Sequence, residues 1–209
     1  MKRSTVFDVK NNAFFSSVLK NKLIIIPFLV FVLGIVLGCV CYFKSDVLSA
    51  VSYEYIDSFI SARENIVFLK VFFSAVLFSL LFFILIFIFG TSLIGTVMSP
   101  LVLFIRGMLF GSVASLLYSQ YGIKGIAFYA LLIVPPAIIM APALMWAVAR
   151  SIGFSLKLVT AVTSGNSVSS LNFEFKKYCI YFIWLIAALS FAALCDAVLS
   201  SFLFDILKF

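Results

Sequence analysis

The sequence predicts an all-α, polytopic membrane protein: a helical bundle of about five transmembrane helices, the fourth kinked by prolines, with an amphipathic surface helix beside them. Two observations carry that prediction. Of 209 residues, 65% are hydrophobic and only 11% charged, where a soluble domain carries roughly a quarter. The apolar residues, 26 Phe among them, gather into runs long enough to cross a bilayer. The net charge of +7 raises nucleic acid as a partner. However, the basic residues are spread thinly and several flank the apolar runs, as they do at the cytoplasmic edge of a membrane protein. No nucleic-acid site follows, and the lipid bilayer is the partner that composition demands.

The elements follow in order. Residues 1–22 hold Lys2, Arg3, Lys10, Lys20 and Lys22 against Asp8 alone, a basic cytoplasmic N-terminus. Residues 23–209 then form a single helical membrane domain. Its first span, 23–43, exceeds the apolar core of about 7–15 residues of a cleaved signal peptide, so it reads as a retained anchor. Pro27 is tolerated in a first helical turn. Gly34 and Gly38 stand four apart, a spacing that lets a neighbouring helix approach, though it is common by chance.

Residues 44–70 hold Asp46, Glu54, Asp57 and Glu64. At ~100° per residue, Leu48, Val51, Tyr55, Phe59, Ala62 and Ile66 fall on one side and the acids on the other. This is an amphipathic helix along the membrane surface. Two readings stand: a docking face for a partner built on Glu54, Asp57 and Glu64, or a connector resting at the interface.

The second span, 71–89, has no charge. The segment 90–100 reads G-T-S-L-I-G-T-V-M-S-P, broken by Gly90, Gly95 and Pro100, and its apolar character points to a dip back toward the membrane. The third span, 101–118, contains Arg106, followed by Gly107 and Gly111. A turn at 119–125 contains Gly122 and Gly125. The fourth span, 126–149, contains Pro135, Pro136 and Pro142, which remove backbone donors and bend or break a helix. Its bend is expected to pack on the Gly107–Gly111 face. A polar loop over 150–177 leads to the fifth span, 178–199, and a short tail.

Orientation follows from Lys and Arg in alternate segments. With the N-terminus inside, inner segments hold nine and the outer loops and segments five, namely Lys44, Arg63, Lys70, Lys124 and Lys208. The expected topology is a multi-pass plasma-membrane protein with a cytoplasmic N-terminus and an extracytoplasmic C-terminus.

Chemistry is sparse. His is absent, which excludes a mixed Cys/His zinc site, and no metal or cofactor is expected. Cys39, Cys41, Cys179 and Cys195 form no C-x-x-C and read as small apolar side chains, with a Cys41–Cys195 disulfide conceivable by position. Asp196 has no partner carboxylate in another span, so an intramembrane hydrolase is disfavoured and no catalytic residue is assigned. Arg106 supports two readings. One is a side chain near the inner edge that snorkels to water. The other is a functional charge of a small transporter or channel, working with 90–100.

The middle of the chain resembles the stage II sporulation protein M family. The resemblance rests on F-G-T-S-L-I-G (89–95), Pro100, F-I-R-G-M-L-F-G (104–111), Y-G-I-K-G (121–125), V-P-P (134–136), A-P-A (141–143) and G-F-S-L (153–156), in that order. It implies a non-enzymatic scaffold in the membrane of spore-forming bacteria. Such a scaffold anchors septal peptidoglycan-degrading enzymes, the stage II sporulation proteins D and P, during engulfment, which places it in the septal membrane. The motif residues Gly90, Gly95, Pro100, Arg106, Gly107, Gly111, Gly122, Gly125, Pro135, Pro136 and Pro142 are structural in type. Self-association is left open.

Overall fold

A computed structural model describes residues 25–63, 68–164 and 168–207 of the chain. The basic segment 1–22, together with Glu64 and Ile66, lies outside the described residues. The elements are α1 (25–42), α2 (Asp46–Arg63), α3 (Phe68–Gly90), α4 (Gly95–Phe128), a π-helical turn (Tyr129–Ile133), α5 (Val134–Ser164) and α6 (Val168–Leu207). Among the described residues there is no strand.

Four helical runs are long and apolar enough to cross a membrane: Ile25–Tyr42, Val71–Gly90, Gly95–Thr163 and Asn172–Phe202. The third is 69 residues long and doubles back on itself at Gly122, so the runs make five passes. Gly122 has φ 57° and ψ −131°, a backbone state open to glycine and costly to other residues. The turn expected at 119–125 is therefore one residue's dihedral change inside a run that is otherwise helical. The returning limb is antiparallel, since Ser99 meets Ser151, Thr96 meets Ser155 and Phe110 meets Tyr129.

The other elements are also longer than their apolar cores. Residues 95–100 are already the first turns of α4, and the connection from α3 is confined to 91–94. The polar stretch 150–177 is mostly helix, not loop. Lys157 on α5 reaches Glu174 on α6 at 2.5 Å, a side-chain contact that holds the two helices together beyond their apolar parts. The expected tail is the continuation of α6 to Leu207.

The fourth pass departs from regular helix just before its prolines. Val134 donates its N–H to the Tyr129 carbonyl, a five-residue bond that widens the helix by one residue. The helix is widened there, not broken. Pro142 continues within α5 and faces outward.

The Gly107–Gly111 face is taken by α1, which corrects the expected packing against the proline bend. Here Gly34 and Gly38 of α1 stack on Gly107 and Gly111 of α4. A Cβ on Gly107 would stand 2.6 Å from the Phe31 carbonyl oxygen, and one on Gly34 would stand 2.5 Å from that of Phe104. Both separations are shorter than carbon and oxygen tolerate, so only glycine permits this approach. The Cys39 thiol and the Ser115 hydroxyl then bond across the same seam. Cys39, Cys41, Cys179 and Cys195 are all free, so no Cys41–Cys195 disulfide forms.

Helix α2 packs on the bundle, at the end where α1 finishes and α3 begins. Ser52 and Ile56 are buried, and Ser52 donates to the buried Ser112 hydroxyl at 2.8 Å. Gln120 donates to the Tyr53 hydroxyl at 2.8 Å. The inward face is thus turned about one position from the apolar stripe read in the sequence, and Val51 is exposed. The rotation has a polar cause: Ser52 and Arg63 find buried partners, which Val51 could not exploit.

Candidate functional site

Two groups of residues stand out. The first is a hydroxyl clamp on the α3–α4 turn, at the end of the bundle opposite α2. Ser155 donates to the carbonyl oxygens of Ser92 and Leu93 at 2.9 and 3.3 Å, and Thr96 meets the Ser155 hydroxyl at 3.1 Å. Ser99 and Ser151 are in hydrogen-bond contact, and Ser151 also reaches the Ile86 carbonyl. Tyr178 of α6 donates to the Phe87 carbonyl at 3.2 Å. Gly90 and Gly95 allow the approach, since a Cβ would strike Tyr178 and Ser151 at the first and the Phe89 carbonyl at the second. The clamp fixes helix ends and holds no charged group, so its work is structural. Pro100 lies in the second turn of α4 beside it.

The second is a cavity of about 120 Å³ lined by α2 to α6 and the π turn, and open on one side. Two arginines and an aspartate line it: Arg63, Arg106 and Asp196. Arg63 is 3% and Asp196 6% exposed, and their ion pair is closed at 2.6 Å. Arg63 also donates to Ser200 Oγ at 2.8 Å and to the Phe59 carbonyl at 2.9 Å. Ser200 in turn lies 3.4 Å from the second Asp196 oxygen. Every strong demand of this pair is met.

Arg106 is held differently. It is 4% exposed and stands eleven residues past Gly95, about 16 Å along α4 at about 1.5 Å per residue. The side chain turns inward among rings of the bundle and not toward a helix end, so the snorkelling reading is corrected. Its guanidinium lies over the rings of Phe78, Phe82 and Phe110, 4.6, 4.9 and 5.6 Å from their centroids. One terminal nitrogen faces Met140 Sδ at 3.7 Å, and Nε has no partner. A central arginine costs about 2.5–3.5 kcal/mol on insertion scales and more on an isolated helix. A desolvated cation–π contact returns about 2 kcal/mol. The rings therefore offset much of the charge, while the orphaned N–H still costs about 1–3 kcal/mol.

The remaining predicted residues place simply. Gly107 and Gly111 form the α1 seam, Gly122 makes the reversal, and Gly125 lets the chain pass the Leu117 carbonyl. Pro136 lines the cavity, Pro135 sits beside it, and Glu54 and Asp57 are exposed on α2. No residue of 90–100 reaches the cavity wall, so the two features a transport reading would combine do not meet. Sequence reasoning missed the Arg63–Asp196 pair, having counted Arg63 as a loop charge.

The bundle defines a multi-pass helical membrane protein with buried charge toward one end and a hydroxyl clamp at the other. The chain belongs to the stage II sporulation protein M family, whose sequence pattern matches residues 27–201. It is on that basis a sporulation membrane protein, of a family that is generally non-catalytic. No curated protein and no solved structure matches it.

Proposed function

We propose that the chain is a non-enzymatic membrane scaffold that positions peptidoglycan-degrading enzymes during engulfment, in line with its family. The observation that carries this reading is the mounting of α2. Its inner face is tied to α4 through Ser52 and Ser112 and to α6 through Arg63 and Asp196. Glu54 and Asp57 are consequently presented outward on a fixed helix. The excess of Lys and Arg in the alternate segments supports an extracytoplasmic position for that helix, with the N-terminus inside. The stage II sporulation proteins D and P are the partners the family resemblance supplies.

Exposed ion pairs are worth about 0–1 kcal/mol each, so the test changes several acids together. The variant Glu54→Lys, Asp57→Lys, Glu64→Lys is expected to stay in the membrane and lose hydrolase recruitment, read by crosslinking and pull-down from sporulating cells. Normal recruitment at equal abundance would remove α2 as the docking face. A cytoplasm-only reporter fused to the C-terminus should be inactive, and activity there would overturn the orientation.

A further inference from the structure

We propose that the Arg106 cavity is a binding site for a compact oxyanion carrying one negative charge, a carboxylate or a phosphodiester group. The inference stands apart from the scaffold reading and rests on the wall of the cavity.

Charge comes first. Arg63, Asp196 and Arg106 face the same space, and the first two satisfy each other. One positive charge is left, on a side chain more than nine-tenths buried, with an unpaired Nε. No carboxylate among the described residues answers it: Asp196 is engaged, and Glu54 and Asp57 are exposed. Shape agrees with charge. A planar guanidinium binds the two oxygens of a carboxylate or phosphate side by side, which rings, a thioether and the single phenolic oxygen of the neighbouring Tyr55 cannot imitate. A cavity of about 120 Å³ holds several waters or an acetate-sized ion.

A route in is also present. Ser58 and Ser74 are exposed residues of the wall and mark its mouth, between α2 and α3. Their hydroxyls and the Tyr55 phenol on the same wall offer further donors to an anion. The π turn abuts the cavity at Ile133, an irregularity of the kind often found at ligand sites. The shared chemistry has two sources, a free carboxylate or the phosphodiester of an anionic lipid, and the two arms of the test separate them.

The test uses the full chain in an uncharged maltoside detergent, read by its thermal unfolding midpoint. Sodium acetate replaces sodium chloride, which has no paired oxygens, at constant ionic strength. In a second arm, phosphatidylglycerol is added to the micelles. The midpoint of the wild type is expected to rise with the logarithm of ligand concentration once the site fills. A rise with acetate assigns the site to free carboxylates. A rise with phosphatidylglycerol alone assigns it to lipid. Arg106→Gln should abolish the increment whatever its own stability, and Lys157→Gln should retain it. Should Arg106→Gln not fold, Ala137→Phe, which fills the cavity and leaves the arginine in place, should abolish it instead. The proposal is overturned if neither ligand moves the wild type, or if the increment survives in the arginine or cavity-filling variant.

Discussion

Arg63 Nη2 and Asp196 Oδ2 meet 2.6 Å apart, tying α2 to α6 across 133 residues of sequence. Both groups are buried, and Ser200 and the Phe59 carbonyl complete their hydrogen bonding. In this setting the cost of a broken pair exceeds the net worth of an intact one. Asp196→Asn is expected to destabilise the protein by about 3–5 kcal/mol, because Arg63 is left charged and uncompensated. The double variant Arg63→Met, Asp196→Leu should recover most of that loss. A double-mutant cycle of unfolding in detergent checks both values. Equal losses in the single and double variants would mean that the pair is not the fastening.

The glycine seam gives a second prediction. Gly38→Leu or Gly111→Leu should force α1 off α4, since each side chain would collide with backbone of the other helix. Overpacking of this kind costs about 1–3 kcal/mol or more. With Cys39 kept, the other cysteines removed and Ser115→Cys added, a short thiol crosslinker should join α1 to α4. Either leucine variant should abolish that crosslink. An undiminished crosslink would show that the seam tolerates bulk.

The passes were legible because an uncharged apolar run of bilayer length is far too long and too greasy for a soluble helix, and the Gly and Pro positions marked where the chain bends. What escaped was the side-chain register. Arg63 looked like an ordinary loop cation until Ser52, Ile56 and Arg63 proved to be one buried line along α2. A lone acid such as Asp196 inside a span is a sequence signal that a cation must exist, but the sequence does not say which one. Arg106 was misread because its distance from 101 does not say where the side chain points, and the rings of Phe78, Phe82 and Phe110 that draw it inward come from α3 as well as α4. The hydroxyl clamp escaped for a related reason. The G-F-S-L and G-T-S-L-I-G motifs are joined by Ser155, whose bonds to Ser92 and Leu93 exist only once α5 folds back.

That clamp is worth testing directly. Ser155→Ala removes the donor to two carbonyl oxygens of the α3–α4 turn. Side-chain hydrogen bonds in membrane bundles average about 0.6 kcal/mol and reach about 1.7, and this residue serves two acceptors and Thr96. A loss near the upper value is expected, with faster amide exchange at Thr91 to Gly95. Thr160→Ala, whose exposed hydroxyl bonds only within its own helix, should change neither measurement. Unchanged exchange at the turn in Ser155→Ala would show that the turn holds itself.

The reversal at Gly122 separates strain from space. A Cβ at Gly122 meets nothing within 4 Å, and the same is true at Gly153. Room alone would therefore make Gly122→Ala and Gly153→Ala equally harmless. Their backbones differ: Gly122 has φ 57°, whereas Gly153 lies within regular α5. Alanine at 153 should be neutral or stabilise by up to about 1 kcal/mol, because it is the better helix former. Alanine at 122 should cost about 1–3 kcal/mol, because the residue must hold a conformation that a side chain opposes. The relief open to it is to straighten the run, which would drive the third and fourth passes apart and break the Tyr129 bond to Phe110. Unfolding in detergent gives the two costs, and protease access near 122 reports any opening of the hairpin. Equal stability of the two variants would show that the reversal does not depend on the left-handed dihedral of this glycine.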